Sequence, residues 1–185
     1  MVHALKFRGA RQLAELLGAL LATRLCSGPW LPDVVTHLPT DPARRAARGY
    51  DQAETLARAL TNAAVLPYRA LLLRTRSTRR QAGLGRAARA ANVRGAFRAV
   101  PGALPAGRRR VLVVDDVLTT GASLEECRRT LMAVGAHEVR FAVVARTASA
   151  KDDEGTRSGA DRERGPYREM HRGARVEDDD QVRGR

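Results

Sequence analysis

The sequence predicts an α/β fold, a doubly wound and mainly parallel sheet, and three observations carry that prediction. Short apolar runs of strand length alternate with stretches whose apolar residues repeat at helical spacing. One run, RVLVVDD at residues 110 to 116, is continuous and β-branched, as a strand covered on both faces should be. It ends in two adjacent carboxylates followed by a glycine-containing turn, and open parallel sheets bind their ligands at the carboxyl ends of their strands.

In chain order, Leu13, Leu16, Leu17, Leu20, Leu21 and Leu25 predict an amphipathic helix over 10–25, closed by Ser27-Gly28-Pro29. DVVTHL, 33–38, reads as a short strand, and Pro39 and Pro42 force a loop before a second helix carrying Ala53, Leu56, Ala57 and Leu60. YRALLLR, 68–74, is the next strand, followed by a polar, Arg-rich loop and an Ala-rich helix around 84–92. FRAV, 97–100, gives a further short strand, and the turn-rich PGALPAG leads into RVLVVDD. Leu124, Cys127, Leu131 and Val134 mark one helical face, Gly135 stands where a C-terminal cap would, and EVRFAVVAR, 138–146, supplies the last strand. Beyond Ala148 the aliphatics give way to mixed charges with Gly and Ser, which predicts disorder, the runs DDE and EDDD being solvated charge. The organisation expected is an N-terminal helical segment over 1–30, a ligand-binding domain over 31–148 and a charged tail over 149–185.

The 185 residues suffice for one domain and a tail. No apolar run reaches 18 residues and MVHALKFRGARQ lacks a signal-peptide core, so a cytoplasmic protein without membrane insertion is expected. Cys26 and Cys127 are expected to be reduced packing residues, and His3, His37, His137 and His171 have no metal-ligand spacing. Of 33 basic residues only Lys6 and Lys151 are lysine, a bias that reflects either anion binding or the codon habit of a GC-rich genome. The tail from 151 to 185 holds 9 basic and 10 acidic residues, which leaves 24 basic against 10 acidic in residues 1 to 150. Such a surface attracts phosphate-bearing partners, whether nucleotide or nucleic acid.

Two neighbouring carboxylates are costly unless something uses them. TTGAS, 119–123, opens a helix: Gly121 permits close backbone approach, and the first-turn amides with the hydroxyls of Thr119, Thr120 and Ser123 form a cradle for one phosphate. Asp115 and Asp116 would repel that phosphate but can accept hydrogen bonds from vicinal hydroxyls. Diol and phosphate together describe a ribose 5-phosphate. The Mg²⁺-holding strand of a P-loop ATPase would require G-x-x-x-x-G-K-[ST], which is absent, and a phospho-acceptor Asp would want a lysine late in the sheet. A capped helix N-terminus explains residues 119–123 alone and leaves the acidic pair unexplained.

VLVVDDVLTTGAS, 111–123, resembles the phosphoribosyl-diphosphate (PRPP) signature of type I phosphoribosyltransferases. The resemblance implies that Asp115 and Asp116 hold the ribose 2- and 3-hydroxyls and that Thr119, Thr120, Gly121, Ala122 and Ser123 hold the 5-phosphate. It also implies Mg²⁺ entering with PRPP and meeting Asp115 and Asp116 indirectly. Purine-salvage members carry an acidic residue at the position of Thr119, so 6-oxopurine chemistry is not expected and the acceptor stays open.

RRAARGYDQAETLA, 44–57, and RTRSTRRQAGLGRAARAANVRGAF, 74–97, with LKFRGARQLAELL near the start, resemble the ComF family, a phosphoribosyltransferase-like group associated with DNA uptake in competent bacteria. The resemblance covers residues 4 to 147 and includes Gln81, Arg89, Asn92 and Phe97. The first segment follows the first core strand, where this fold places its diphosphate loop, which makes Arg44, Arg48 and the amides near Gly49 candidate diphosphate contacts. The family's R-G-F-N-Q reads Arg48, Gly49, Tyr50, Asp51, Gln52 here, and its common histidine stands as Asp41. Asp51 is therefore expected to add negative charge beside that loop. The Cys-rich zinc-binding segment with which family members usually begin is expected to be truncated or lost, since nothing before His3 supplies it.

Two functions are implied. One is an enzyme that binds Mg²⁺-PRPP and transfers its phosphoribosyl group to an unknown acceptor, with no general base identifiable. The other is a nucleotide sensor, or a protein holding single-stranded DNA on its basic face, although only Tyr50 interleaves an aromatic ring with a basic cluster. Salt dependence would mark DNA binding, and dependence on Mg²⁺, Asp115 and Asp116 would mark PRPP binding. Oligomerisation is left open.

Overall fold

In the computed structural model, which describes residues 11–77, 91–107 and 109–147, the elements follow one another as α1 (Arg11–Cys26), β1 (Val34–His37), α2 (Pro42–Arg48), α3 (Gln52–Ala64), β2 (Leu72–Arg74), β3 (Phe97–Ala99), β4 (Arg110–Leu118), α4 (Ala122–Ala133) and β5 (Glu138–Arg146). All of them belong to the unit Met1–Thr147. The tail expected to be disordered and most of the helix expected around 84–92 lie outside the described residues; residues 91–93 are helical.

β4 is the centre of a parallel three-stranded sheet in the order β1-β4-β5, with Val34 opposite Val111 and Val113 opposite Phe141. Its aliphatics alternate between two cores, as the period of a strand requires. Val111 and Val113 pack with Leu124, Cys127 and Leu131 of α4, while Leu112 and Val114 pack with Leu17 of α1 and Leu56, Ala57 and Leu60 of α3. Helices therefore cover both faces, which is the doubly wound arrangement the continuous apolar run predicts.

The expected strand over 68–74 is divided. Tyr68 extends the sheet beyond β1 through a parallel bridge to Val35, with Val35 N–H donating to Pro67 O at 2.9 Å and Arg69 N–H to Val35 O at 3.0 Å. The chain then leaves that ladder: Leu71 N–H donates to the Thr36 hydroxyl at 3.1 Å, and β2 pairs antiparallel with β3. Three other expectations need correction. The segment before α3 holds a separate helix, α2, with no buried residue and hence no apolar period to betray it. Val134 is 48 % exposed, because α4 stops at Ala133 and Val134 caps it, with Gly135 beyond at φ 101°. Cys127 is buried as expected, but Cys26 is exposed.

Side chains bind the strand ends. Asp33 accepts from the backbone N–H groups of Arg109 and Arg110 at 3.0 and 2.9 Å and from the Arg110 guanidinium at 3.1 Å, contacts that hold its carboxyl below the usual range. Trp30 Nε1 donates to Glu138 Oε2 at 2.6 Å, and Arg140 lies 4.6 Å from the Trp30 ring centre. Glu126 on α4 accepts from Gly95 N–H at 2.6 Å and pairs with Arg129. Among the described residues no helix is long and apolar enough to cross a membrane.

Candidate functional site at the carboxyl end of the sheet

β1 and β4 run side by side only as far as His37 and Val114, after which Leu38 N–H donates to Val114 O at 2.9 Å and the chain turns away into α2. β4 and β5 continue together to Leu118 and Arg146. Asp115 and Asp116 thus lie within β4 rather than after it, at the level where its β1 neighbour has ended. That opening is the crevice in which α/β sheets bind ligands. Asp115 stands opposite Val143, and its Oδ1 accepts from the Asp116 N–H at 2.8 Å; both residues are half-buried.

The turn after β4 leads directly into α4. Gly121 is buried, adopts φ 75°, ψ −7° at the N-cap of α4, and supplies no side-chain cap. A left-handed turn of this kind is open to glycine at no steric cost, and the uncapped first-turn amides form the donor set that a phosphate group accepts. Thr119 is exposed, and Thr120, Ala122 and Ser123 are half-buried.

The third component comes from the loop after β1. Asp41 caps α2, accepting from Ala43 N–H at 3.0 Å, and its carboxyl is held below the usual range chiefly by the Ser77 hydroxyl. Gly49 closes α2 in the left-handed region at φ 77°. Asp51 then caps α3: its carboxylate accepts from Ala53 N–H at 3.1 Å, Glu54 N–H at 3.3 Å, Thr40 N–H at 2.8 Å and the Thr40 hydroxyl at 3.2 Å. It is 4 % exposed, and the negative charge expected beside the loop is engaged by the α3 N-terminus and Thr40.

Gln52, 2 % exposed, brings the two motifs together. Its Nε2 donates to Asp116 Oδ2 at 3.1 Å across 64 residues of sequence, and its Oε1 accepts from Arg48 Nη1. Arg48 is thereby linked to Asp116 through the Gln52 amide, whereas Arg44 stands exposed on α2. Only the position of Gln52 in the R-G-Y-D-Q stretch hinted at this bridge; no spacing rule identifies it.

Beneath the loop lies a pair, the buried His37 and the half-buried Tyr68, that sequence reasoning missed. His37 Nδ1 and the Tyr68 hydroxyl are 2.8 Å apart, and His37 Nε2 is 3.9 Å from Asp51 Oδ2. Burial holds the imidazole below its ordinary pKa, against the opposing pull of Asp51, and pushes the Tyr68 phenol up. The Arg58 guanidinium covers the Tyr68 ring at 4.2 Å and donates to Glu54 Oε1 at 3.0 and 3.1 Å. A concavity of about 490 Å³ opens between α1 and α3 against the same loop, with Gly49, Tyr50 and Asp51 as well as Glu15, Arg45 and Arg58 in its wall; Glu54 pairs there with Arg45 at 3.6 Å and with Arg58 at 3.0 Å.

Among the described residues no three His, Cys, Asp or Glu side chains cluster as a metal site.

The family model described as phosphoribosyl transferase domain matches residues 51–162. The chain is 31% identical over 153 residues to the DNA utilization protein YhgH of Escherichia coli K12, covering 80% of this chain and 66% of that protein. It is 32% identical over 117 residues to Competence protein F of Haemophilus influenzae, covering 63% and 51%. The chain thus spans just under two thirds of the length of the first relative and about half that of the second. Among solved structures, glutamine PRPP amidotransferase from B. subtilis, complexed with ADP and GMP, superposes with a TM-score of 0.50 at 27% identity, over 72% of this chain and 26% of that one.

Proposed function

Because the chain belongs to the phosphoribosyl transferase domain family, in its ComF-like type I group, we propose that it binds Mg²⁺-PRPP, or a related ribose 5-phosphate compound, in the crevice beyond the end of β1. The observation that carries this reading is the hydrogen-bonded chain from Arg48 through Gln52 to Asp116, which joins a diphosphate-loop arginine to the acidic pair. In this reading Asp115 and Asp116 accept the ribose 2- and 3-hydroxyls, the Gly121 turn with Thr119, Thr120, Ala122 and Ser123 receives the 5-phosphate, and Arg48 with the amides near Gly49 receives the diphosphate. Arg44 contributes long-range positive charge from the surface. Magnesium, arriving with PRPP, would neutralise the diphosphate as leaving group.

The reaction this arrangement favours is phosphoribosyl transfer. The bond from ribose C1 to the diphosphate oxygen breaks, an acceptor atom forms a bond to C1, and pyrophosphate leaves with the electron pair. Stabilisation of the departing charge would fall to Arg48 and the loop amides. Calorimetry with PRPP, with and without Mg²⁺, on wild type and on Asp115→Asn/Asp116→Asn tests the reading. Mg²⁺-dependent binding that disappears in the double variant supports it and opens a screen of acceptors for pyrophosphate release. A folded wild type that ignores PRPP overturns it.

A second reading has its own support. Arg69, Arg76, Arg94 and Arg98 are exposed on or beside the β2–β3 ribbon, and residues 69–76 and 94–98 contain no acidic side chain. Such a strip matches the backbone of single-stranded DNA, and two relatives are named for DNA utilization and competence. Single-strand binding that weakens steeply with salt and drops in Arg69→Ser/Arg98→Ser supports it; salt-independent binding, or none, removes it.

A further inference from the structure

The Gln52 side chain is polar, almost wholly buried and used at both ends. Its orientation has one solution. The NH₂ group must face the Asp116 carboxylate and the carbonyl must face the Arg48 guanidinium, because the flipped amide would set donor against donor and acceptor against acceptor. Its backbone is equally constrained, since Gln52 is the first residue of α3 and follows the buried Asp51 cap. The carbon stem therefore holds the amide at one place between a cation and an anion.

A direct Arg48–Asp116 ion pair would neutralise both groups and withdraw them from a ligand. The neutral amide keeps them apart. The bond to Gln52 uses one of the five guanidinium N–H donors, and the bond from Gln52 uses one acceptor position of a carboxylate that has about four. A hydrogen-bond chain in a half-buried crevice also polarises along its length, so engaging one end strengthens the other.

We propose that Gln52 is a positioning residue that couples the diphosphate loop to the diol-binding carboxylate, so that the site favours PRPP over ribose phosphates lacking the 1-diphosphate. This rests on the PRPP reading given above. Ribose 5-phosphate would engage the Asp116 end and the phosphate turn but not Arg48. PRPP would engage both ends and gain from the coupling.

The test compares PRPP with ribose 5-phosphate by calorimetry in Mg²⁺, on the full chain carrying Gln52→Leu or Gln52→Glu, with thermal unfolding to establish that each variant is folded. Gln52→Leu is expected to weaken PRPP about tenfold and ribose 5-phosphate about twofold or less, the size of a lost charge-assisted hydrogen bond at one end of the chain. Gln52→Glu keeps an acceptor for the Arg48 guanidinium but sets a carboxylate against Asp116, so the Asp116 end of the chain is lost and the preference for PRPP over ribose 5-phosphate should fall at least as far as in Gln52→Leu.

Equal losses for both ligands, or a PRPP preference unchanged in both variants, would make Gln52 a structural residue and overturn the coupling while leaving PRPP binding in place. A folded wild type that binds neither ligand overturns the PRPP reading and the coupling with it.

Discussion

Gly18 of α1 lies against the backbone of Ala59 in α3: a Cβ placed on Gly18 would sit 2.5 Å from the Ala59 Cβ and 2.7 Å from its carbonyl carbon. Two helices in backbone contact leave no room for a methyl group. Gly18→Ala should destabilise the fold by about 1–3 kcal/mol, outweighing the roughly 1 kcal/mol that alanine gains over glycine within a helix. Urea unfolding measures this, and adding Ala59→Gly should restore only part, since the Leu60 amide nitrogen is also 2.7 Å away.

Burial holds the His37 imidazole below its ordinary value, so the folded protein resists a proton that the unfolded chain accepts. Stability from this group is fully present above the unfolded imidazole value of about 6.5 and is lost as pH falls from there towards the depressed value. The wild type should therefore lose stability between about pH 7 and pH 5 faster than His37→Gln, as read from urea midpoints at each pH. Parallel pH profiles would show that the imidazole contributes nothing.

Asp51 spends its carboxylate on the α3 N-terminus and on Thr40. Replacing it with alanine should cost about 1–3 kcal/mol, while asparagine, which retains an acceptor oxygen, should cost well under half of that. If the charge is engaged there as described, Asp51→Asn should leave PRPP affinity within about twofold of wild type. Thermal unfolding and calorimetry on the two variants read both effects.

The two cysteines differ in environment. Cys26 is exposed, while Cys127 is buried and its thiol is pushed up by desolvation. A thiol reagent such as Ellman's should titrate one group in the native protein and two in urea. Cys26→Ser should leave no fast-reacting thiol.

What was legible in the sequence tracks what is periodic or continuous. β5 matches the expected run residue for residue, and β4 contains the expected apolar stretch with its acidic pair and continues two residues beyond it. Where burial does not drive the structure the signal fails. α2 buries nothing and is held by its Asp41 cap and the Gly49 turn, so its seven residues read as loop. The break after Tyr68 depends on one Thr36 hydroxyl capturing the Leu71 amide, a contact between segments distant in sequence. The acidic pair and the glycine turn are contiguous and could be recognised as a motif. The bridge from Arg48 to Asp116 exists only because α3 starts beside β4, and no local pattern encodes that adjacency.

The register of the sheet also dictates an order of events during synthesis. Val34 to His37 find their main partner only at Val111 to Val114, so β1, α2, α3 and the β2–β3 ribbon are all translated before the central strand exists. Until then the edge of β1 that β4 will cover is open, and Val34 and Val35, both fully buried in the finished fold, have only the Tyr68 side of the sheet complete. Pairings of such sequence separation form slowly and leave apolar strand edges available to other chains. A nascent chain stalled or cleaved before residue 110 is thus an aggregation-prone fragment, and the acidic pair that defines the crevice arrives on the same strand that closes the sheet.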